Sequence, residues 1–185
     1  MSFNKVTTDI INQLIQIVGK QYVLFDNEAF EKYGHDETED YIFYPEVVIK
    51  PRTAQEVSEI LKICNNKPVS LEVFADEYKE MKKQALQINT WGKNVYVKVP
   101  VTNSKGIFMG KIIKELNNSN IKINITAIYS AKQTEKILKL INKKTKVIIS
   151  IFAGRAGDAG KDPVPEFKKS IALAKKFKNV EILWA

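Results

Sequence analysis

A lysine set among four valines is the side chain with the most chemistry to offer. In "NVYVKVPVT" (residues 94–102) strand periodicity puts Val95, Val97, Val99 and Val101 on one face and Tyr96, Lys98 and Pro100 on the other. On a solvated face Lys98 is only a surface charge. Inside a cavity its amine is a candidate nucleophile. The same parity recurs in neighbouring apolar segments. Ser70 and Glu72 share one face of "VSLEVFA" (69–75), Asn124 and Thr126 lie opposite Ile123 and Ile125, and Ser150 lies opposite Ile149 and Ile151. Four successive segments thus each carry an apolar face and a face with one or two reactive polar groups.

These residues need elements to hold them. From residue 46 onward, short apolar runs alternate with helical patterns. Strand "EVVIK" (46–50) precedes a helix over 53–66, with Thr53 as N-cap and Glu56 three places on. Strands at 69–75, 94–101, 122–128, 146–154 and 180–185 follow, separated by helices at 76–90, 105–117, 130–142 and 163–177. Such alternation predicts a parallel sheet covered by helices. Most strands start about 24–27 residues apart, close to the unit of a (β/α)₈ barrel. A doubly wound open sheet is the alternative. The barrel is favoured because it sends the apolar faces toward the helices and gathers the polar positions inward, toward the C-terminal mouth.

The expected architecture is therefore α/β: an incomplete TIM barrel of about six parallel βα units over 46–185, after an N-terminal helical appendage over 1–45. Six units cannot close an eight-stranded barrel without distortion. Two strand edges, at "EVVIK" and "VEILWA", are expected to stay open and to drive self-association, unless residues 1–34 cover one of them.

Composition narrows the function classes. The chain has 185 residues and a net charge of +8, yet Arg52 and Arg155 are its only arginines and its lysines are spread along helices. Dispersed, arginine-poor charge argues against nucleic acid as partner. No run approaches the length of a membrane span, and the N-terminus is too polar for a signal peptide. A single cysteine, Cys64, excludes an internal disulfide and fits a reducing, cytoplasmic setting.

The motifs "PVSLEVFADEYKEMKKQA", "WGKNVYVKVPVTNSKG", "KINITAIYS", "SIFAGRAGDAGKDPVP" and "EILWA", over about residues 67–185, resemble the transaldolase family, including its short fructose-6-phosphate-aldolase-like members. The resemblance implies a TIM barrel with a Schiff-base lysine on its fourth strand, here Lys98. It further implies Glu72 and Thr126 as catalytic partners, Glu72 helping to position a water. Asn124 and Ser150 would contact substrate, and Arg155 would clamp a sugar phosphate. The residue types suit that chemistry. An amine attacks a ketose carbonyl only when neutral, and desolvation disfavours the ammonium. The iminium that follows is an electron sink, so neither metal nor other cofactor is implied. A guanidinium gives bidentate recognition of phosphate. The implied reaction transfers or releases a dihydroxyacetone unit of a sugar phosphate.

The match has departures. The family's first strand carries an aspartate that shuttles protons, and its second a Thr-Thr-Asn-Pro-like motif; neither motif is found here. A serine and often a nearby arginine follow the family's seventh strand, at a point beyond Ala185. In front stands a stretch, about residues 5–68, that resembles the opening of FAD-linked oxidases of the glycolate-oxidase and D-lactate-dehydrogenase type, without the glycine-rich loop that wraps the flavin. The expectation is a fused, truncated chain that binds no flavin, whose turnover is impaired or lost.

Other residues carry less. His35, the only histidine, reads as a surface loop residue. Asp36, Glu37, Glu39 and Asp40 lack the spacing of a calcium loop. Cys64 reads as a thiol packed on the apolar side of its helix, and Trp91 and Trp184 as packing aromatics. "AGRAGDAGKDP" lacks the dinucleotide fingerprint, but a phosphate-binding turn at a helix start is a reasonable expectation for it.

Overall fold

A computed structural model describes residues 5–35, 42–64 and 68–185. The acidic run at 36–40 lies outside them. The chain divides into two compact units, Met1–Asn65 and Asn66–Ala185.

In the N-terminal unit, helix α1 (Thr8–Val18) starts where the Thr7 hydroxyl accepts the Ile10 amide, and it stops at Gly19, whose φ of 91° favours glycine. Strand β1 (Val23–Leu24) and the short helix α2 (Asn27–Tyr33) follow, then β2 (Val48–Ile49) and α3 (Ala54–Ile63). Leu14, Val18 and Val23 form the core, with Ile10, Ile49 and Ile60 packed against them. The Thr53 hydroxyl caps α3 as expected, accepting the Glu56 amide at 3.1 Å.

Two expectations need correction here. The strand read at 46–50 exists, but it pairs antiparallel with β1, Val23 opposite Ile49, and is not a strand of the parallel sheet. The partner lies within the same compact unit: β1 pairs with it, and the Lys50 amide donates to the Tyr22 carbonyl at 2.9 Å. Cys64 is exposed rather than packed, because it falls on the C-cap of α3, past the last turn of the apolar face.

The C-terminal unit is the regular one. Strands β3 (Val69–Glu72), β4 (Val95–Pro100), β5 (Ile123–Ile128), β6 (Val147–Ile151) and β7 (Val180–Trp184) form a five-stranded parallel sheet in sequence order. Between them run α4 (Tyr78–Asn89), α5 (Gly110–Asn118), α6 (Ala131–Leu138), a short α7 (Ala153–Asp158) and α8 (Val164–Ala174). Among the described residues the count is thus five parallel strands, where about six were expected. Val97, Val99, Ile123, Ile125 and Ile149 are fully buried, as are Met81, Ile112, Ile113 and Ile137 from the helices. Each such burial contributes about 1.5–3 kcal/mol, so this face decides the orientation of every strand. The polar positions must then emerge on the opposite face. The arrangement is an α/β fold consistent with a partial TIM barrel.

Candidate active site

Parallel register brings the polar positions into one row. Glu72 lies opposite Lys98, and Lys98 opposite Asn124. The Lys98 ammonium reaches the Glu72 carboxylate at 3.1 Å. Its side chain is 29% exposed against 46% for Glu72, so the amine is the more enclosed partner while the pair stays open to solvent.

Asn124 is locked in orientation. Its Nδ2 donates to the Ser70 hydroxyl at 2.9 Å, and its Oδ1 accepts from the Ser150 hydroxyl at 2.8 Å. The amide thus ties β3, β5 and β6 together beside Lys98. Ser70 is the participant that the resemblance does not supply, although its parity with Glu72 puts it on the correct face. Thr126, opposite Pro100 and one pleat beyond Asn124, is 1% exposed, and its hydroxyl has no hydrogen-bond partner among the described residues. A buried hydroxyl without a partner costs about 1–3 kcal/mol. The next residue, Ala127, has φ of 60°, a left-handed conformation unusual for a residue with a Cβ, and the β5–β6 register shifts at this point. The bulge changes the direction of the strand directly after Thr126. Nothing in the sequence signals it.

Two loops bracket the row at its C-terminal end. Asp76, after β3, accepts both the backbone amide and the hydroxyl of Ser104, after β4, each at 2.7 Å. These two bonds, the amide first, hold the Asp76 carboxyl below its ordinary pKa. Lys105 pairs with Glu77 at 2.6 Å, and the Asn103 carboxamide accepts the amides of Lys105 and Ile107. At the other end of the strands, the Lys122 ammonium donates to the Lys93 carbonyl and sits 4.9 Å from the Tyr96 ring centroid. Burial lowers the Lys122 pKa and raises that of Tyr96, with the Glu181 charge adding to the latter.

Arg155 stands apart. It is exposed on α7, and no hydrogen bond or ion pair joins it to the other site residues. The first amides of α7, on Ala153 and Gly154, donate to the Ala185 carbonyl at 2.6 and 3.1 Å. The segment read as a glycine-rich turn is this six-residue helix.

Polar side chains toward the C-terminal ends of parallel strands are where (β/α) barrels place their sites. The profile of the family described as Transaldolase/Fructose-6-phosphate aldolase matches residues 7–185. The chain belongs to that family. It is 34% identical over 119 residues to a probable transaldolase of Clostridium kluyveri, covering 64% of this chain and 51% of that protein. The figures for a probable transaldolase of Herpetosiphon aurantiacus are 33% over 126 residues, 68% and 52%. For one of Dehalococcoides mccartyi they are 31% over 136 residues, 72% and 59%. The matched stretch spans about half the length of the first of these relatives. The resemblance of residues 5–68 to FAD-linked oxidases finds no support, because the family match runs through that stretch from residue 7. A short strand followed by a capped helix, which is what "EVVIKPRTAQEVSEIL" encodes, is too general a pattern to separate the two families.

Proposed function

We propose that the chain carries Schiff-base transaldolase or aldolase chemistry on Lys98, acting on a sugar phosphate in the cytoplasm. The observation that carries the reading is the 3.1 Å contact between Lys98 Nζ and Glu72 Oε2, with the fixed Asn124 amide in the same row. Glu72 would accept the ammonium proton, and the freed amine adds to a ketose carbonyl. Loss of water from the carbinolamine leaves the iminium. The carbon–carbon bond beyond the adjacent carbon then breaks, its electrons pass into the iminium to form an enamine, and the hydroxyl proton of the leaving aldose goes to a base. Addition of the enamine to another aldehyde, followed by hydrolysis, completes transfer. Protonation and hydrolysis release dihydroxyacetone instead. The Thr126 hydroxyl offers an unfilled hydrogen bond to water or substrate, and Ser150 keeps Asn124 aimed. Arg155, on the exposed α7, would meet the phosphate.

Among the described residues Glu72 is the only carboxylate in contact with Lys98. One group must then serve several proton transfers, so turnover is expected to be slow. The edge strands β3 and β7 of the parallel sheet are proposed as sites of self-association.

Reductive trapping tests the reading. Borohydride with dihydroxyacetone or fructose 6-phosphate should add one adduct at Lys98, and none there in Lys98→Ala. Arg155→Ala should weaken trapping by fructose 6-phosphate and leave that by dihydroxyacetone unchanged. Equal labelling of several surface lysines would show that Lys98 has no special reactivity and overturn the proposal.

A further inference from the structure

The Ser70–Asn124 bond joins strands that are not neighbours. The sheet runs β3-β4-β5, so a side chain on β3 reaches one on β5 only by passing over β4. Register fixes where it crosses. Ser70 lies opposite Tyr96, and Asn124 lies opposite Lys98. The 2.9 Å bond therefore runs diagonally across β4, between the Tyr96 and Lys98 positions and on the face that both share.

The Ser70 hydroxyl satisfies no backbone group. It accepts from Asn124 Nδ2 and takes part in no other hydrogen bond among the described residues. It stands on an edge strand and is only half-buried, so the fold has little need of a hydroxyl at this position. Asn124, by contrast, is buried.

What Ser70 controls is the carboxamide. An asparagine side chain has two donor protons and two acceptor lone pairs. Ser70 takes one proton, and Ser150 donates to one lone pair at 2.8 Å. One N–H and one lone pair are left, on the residue that register sets beside Lys98. Held by Ser150 alone, the amide would be tethered at its oxygen only, and the terminal torsion of asparagine is broad. Anchors at both ends, from β3 and from β6, fix its plane.

We propose that Ser70 is a positioning residue for the chemistry at Lys98. By anchoring Nδ2 from across β4, it presents the remaining N–H of Asn124 to an oxygen of the ketose that adds to the amine. This role rests on the Schiff-base reading above and adds to it a residue that touches neither Lys98 nor substrate.

Borohydride trapping of dihydroxyacetone over a concentration series tests it, on the protein, Ser70→Ala and Ser70→Thr. Melting temperature and the Asn124 side-chain amide NMR signals, assigned by their loss in Asn124→Asp, are read on the same samples. Ser70→Ala should need about 2–12-fold more dihydroxyacetone for half-maximal labelling of Lys98, the change that loss of one hydrogen bond brings. Its Asn124 amide protons should exchange faster with solvent, while the melting temperature hardly moves. Ser70→Thr keeps the hydroxyl, and its added methyl has room on the edge strand, so it should recover most of both losses. Labelling of Ser70→Ala equal to that of the unaltered protein overturns the role and leaves the Schiff-base reading standing. A loss of labelling that follows the melting temperature, and that Ser70→Thr does not recover, also overturns it, because the hydroxyl then serves only the fold. No adduct at Lys98 in the unaltered protein brings down the Schiff-base reading and this role with it.

Discussion

The two ends of the parallel sheet treat polar side chains in opposite ways. At the end where helices feed into strands, Asn142 is bound on all sides. Its backbone amide donates to Asn117 Oδ1, its Nδ2 to the Asn117 carbonyl and the Thr145 hydroxyl, and its Oδ1 accepts the amides of Lys144 and Thr145. Asn179 donates from the next loop to the carbonyls of Asn142 and Thr145. These side chains mainly satisfy loop backbone. In the polar row itself, side chains bond to one another: Glu72 to Lys98, and Ser70 and Ser150 to Asn124, while the Thr126 hydroxyl has no partner among the described residues. The first pattern holds three loops together. The second orients groups and leaves capacity unused, as a site does. The distinction is one of degree, since Asn117 Nδ2 and Asn179 Oδ1 are also buried without partners.

Substitutions can break this contrast. The largest effect is expected from Glu72→Gln, which keeps the shape and removes the proton acceptor. Turnover should fall about 10²–10⁴-fold, while the melting temperature hardly moves, because a half-exposed ion pair contributes only about 0–1 kcal/mol. A large loss of stability in this variant would place Glu72 among the structural residues. Asn142→Ala should do the reverse. Removing an anchor of several part-buried hydrogen bonds is expected to cost about 2–4 kcal/mol in denaturant unfolding, yet leave trapping at Lys98 intact per folded molecule.

Thr126→Val sharpens the comparison. Replacing an unpartnered buried hydroxyl with a methyl should stabilise the fold by about 1 kcal/mol and slow turnover together. A destabilised variant with unchanged rate would mean that the hydroxyl serves the fold. The smallest effect concerns Asp76. Its carboxyl is held below the ordinary range by Ser104, so its contribution is complete above the unfolded value of about 3.9 and is lost as pH falls through the folded one. The difference in melting temperature between the protein and Asp76→Asn should therefore narrow in the window below about pH 3.9, as the carboxyl is protonated in the folded state. A gap unchanged across that window would show that the Ser104 latch does not depend on the charge.

Much of the site was legible because a strand has a period of two. Once Val95, Val97 and Val99 are committed to the helix-covered face, Lys98 can only emerge on the other, and the same holds for Glu72, Asn124, Thr126 and Ser150. The helix start at Thr53 was equally plain, with a side-chain cap that the local sequence specifies. Less legible was "EVVIK". A run of five residues rich in valine and isoleucine says strand, but not which partner it takes.

The sequence by itself determined the elements and their faces, because burial parity and helix caps are set by neighbours a few residues apart. Tertiary structure alone decided the rest. It made β2 antiparallel, since strand pairing depends on which edge lies within reach. It put the Lys98 amine 3.1 Å from Glu72 and fixed Asn124 between two serines, because register between strands some 26 residues apart is settled by the packing of the whole sheet. It bent β5 at Ala127, where packing holds a conformation that the residue would not adopt alone.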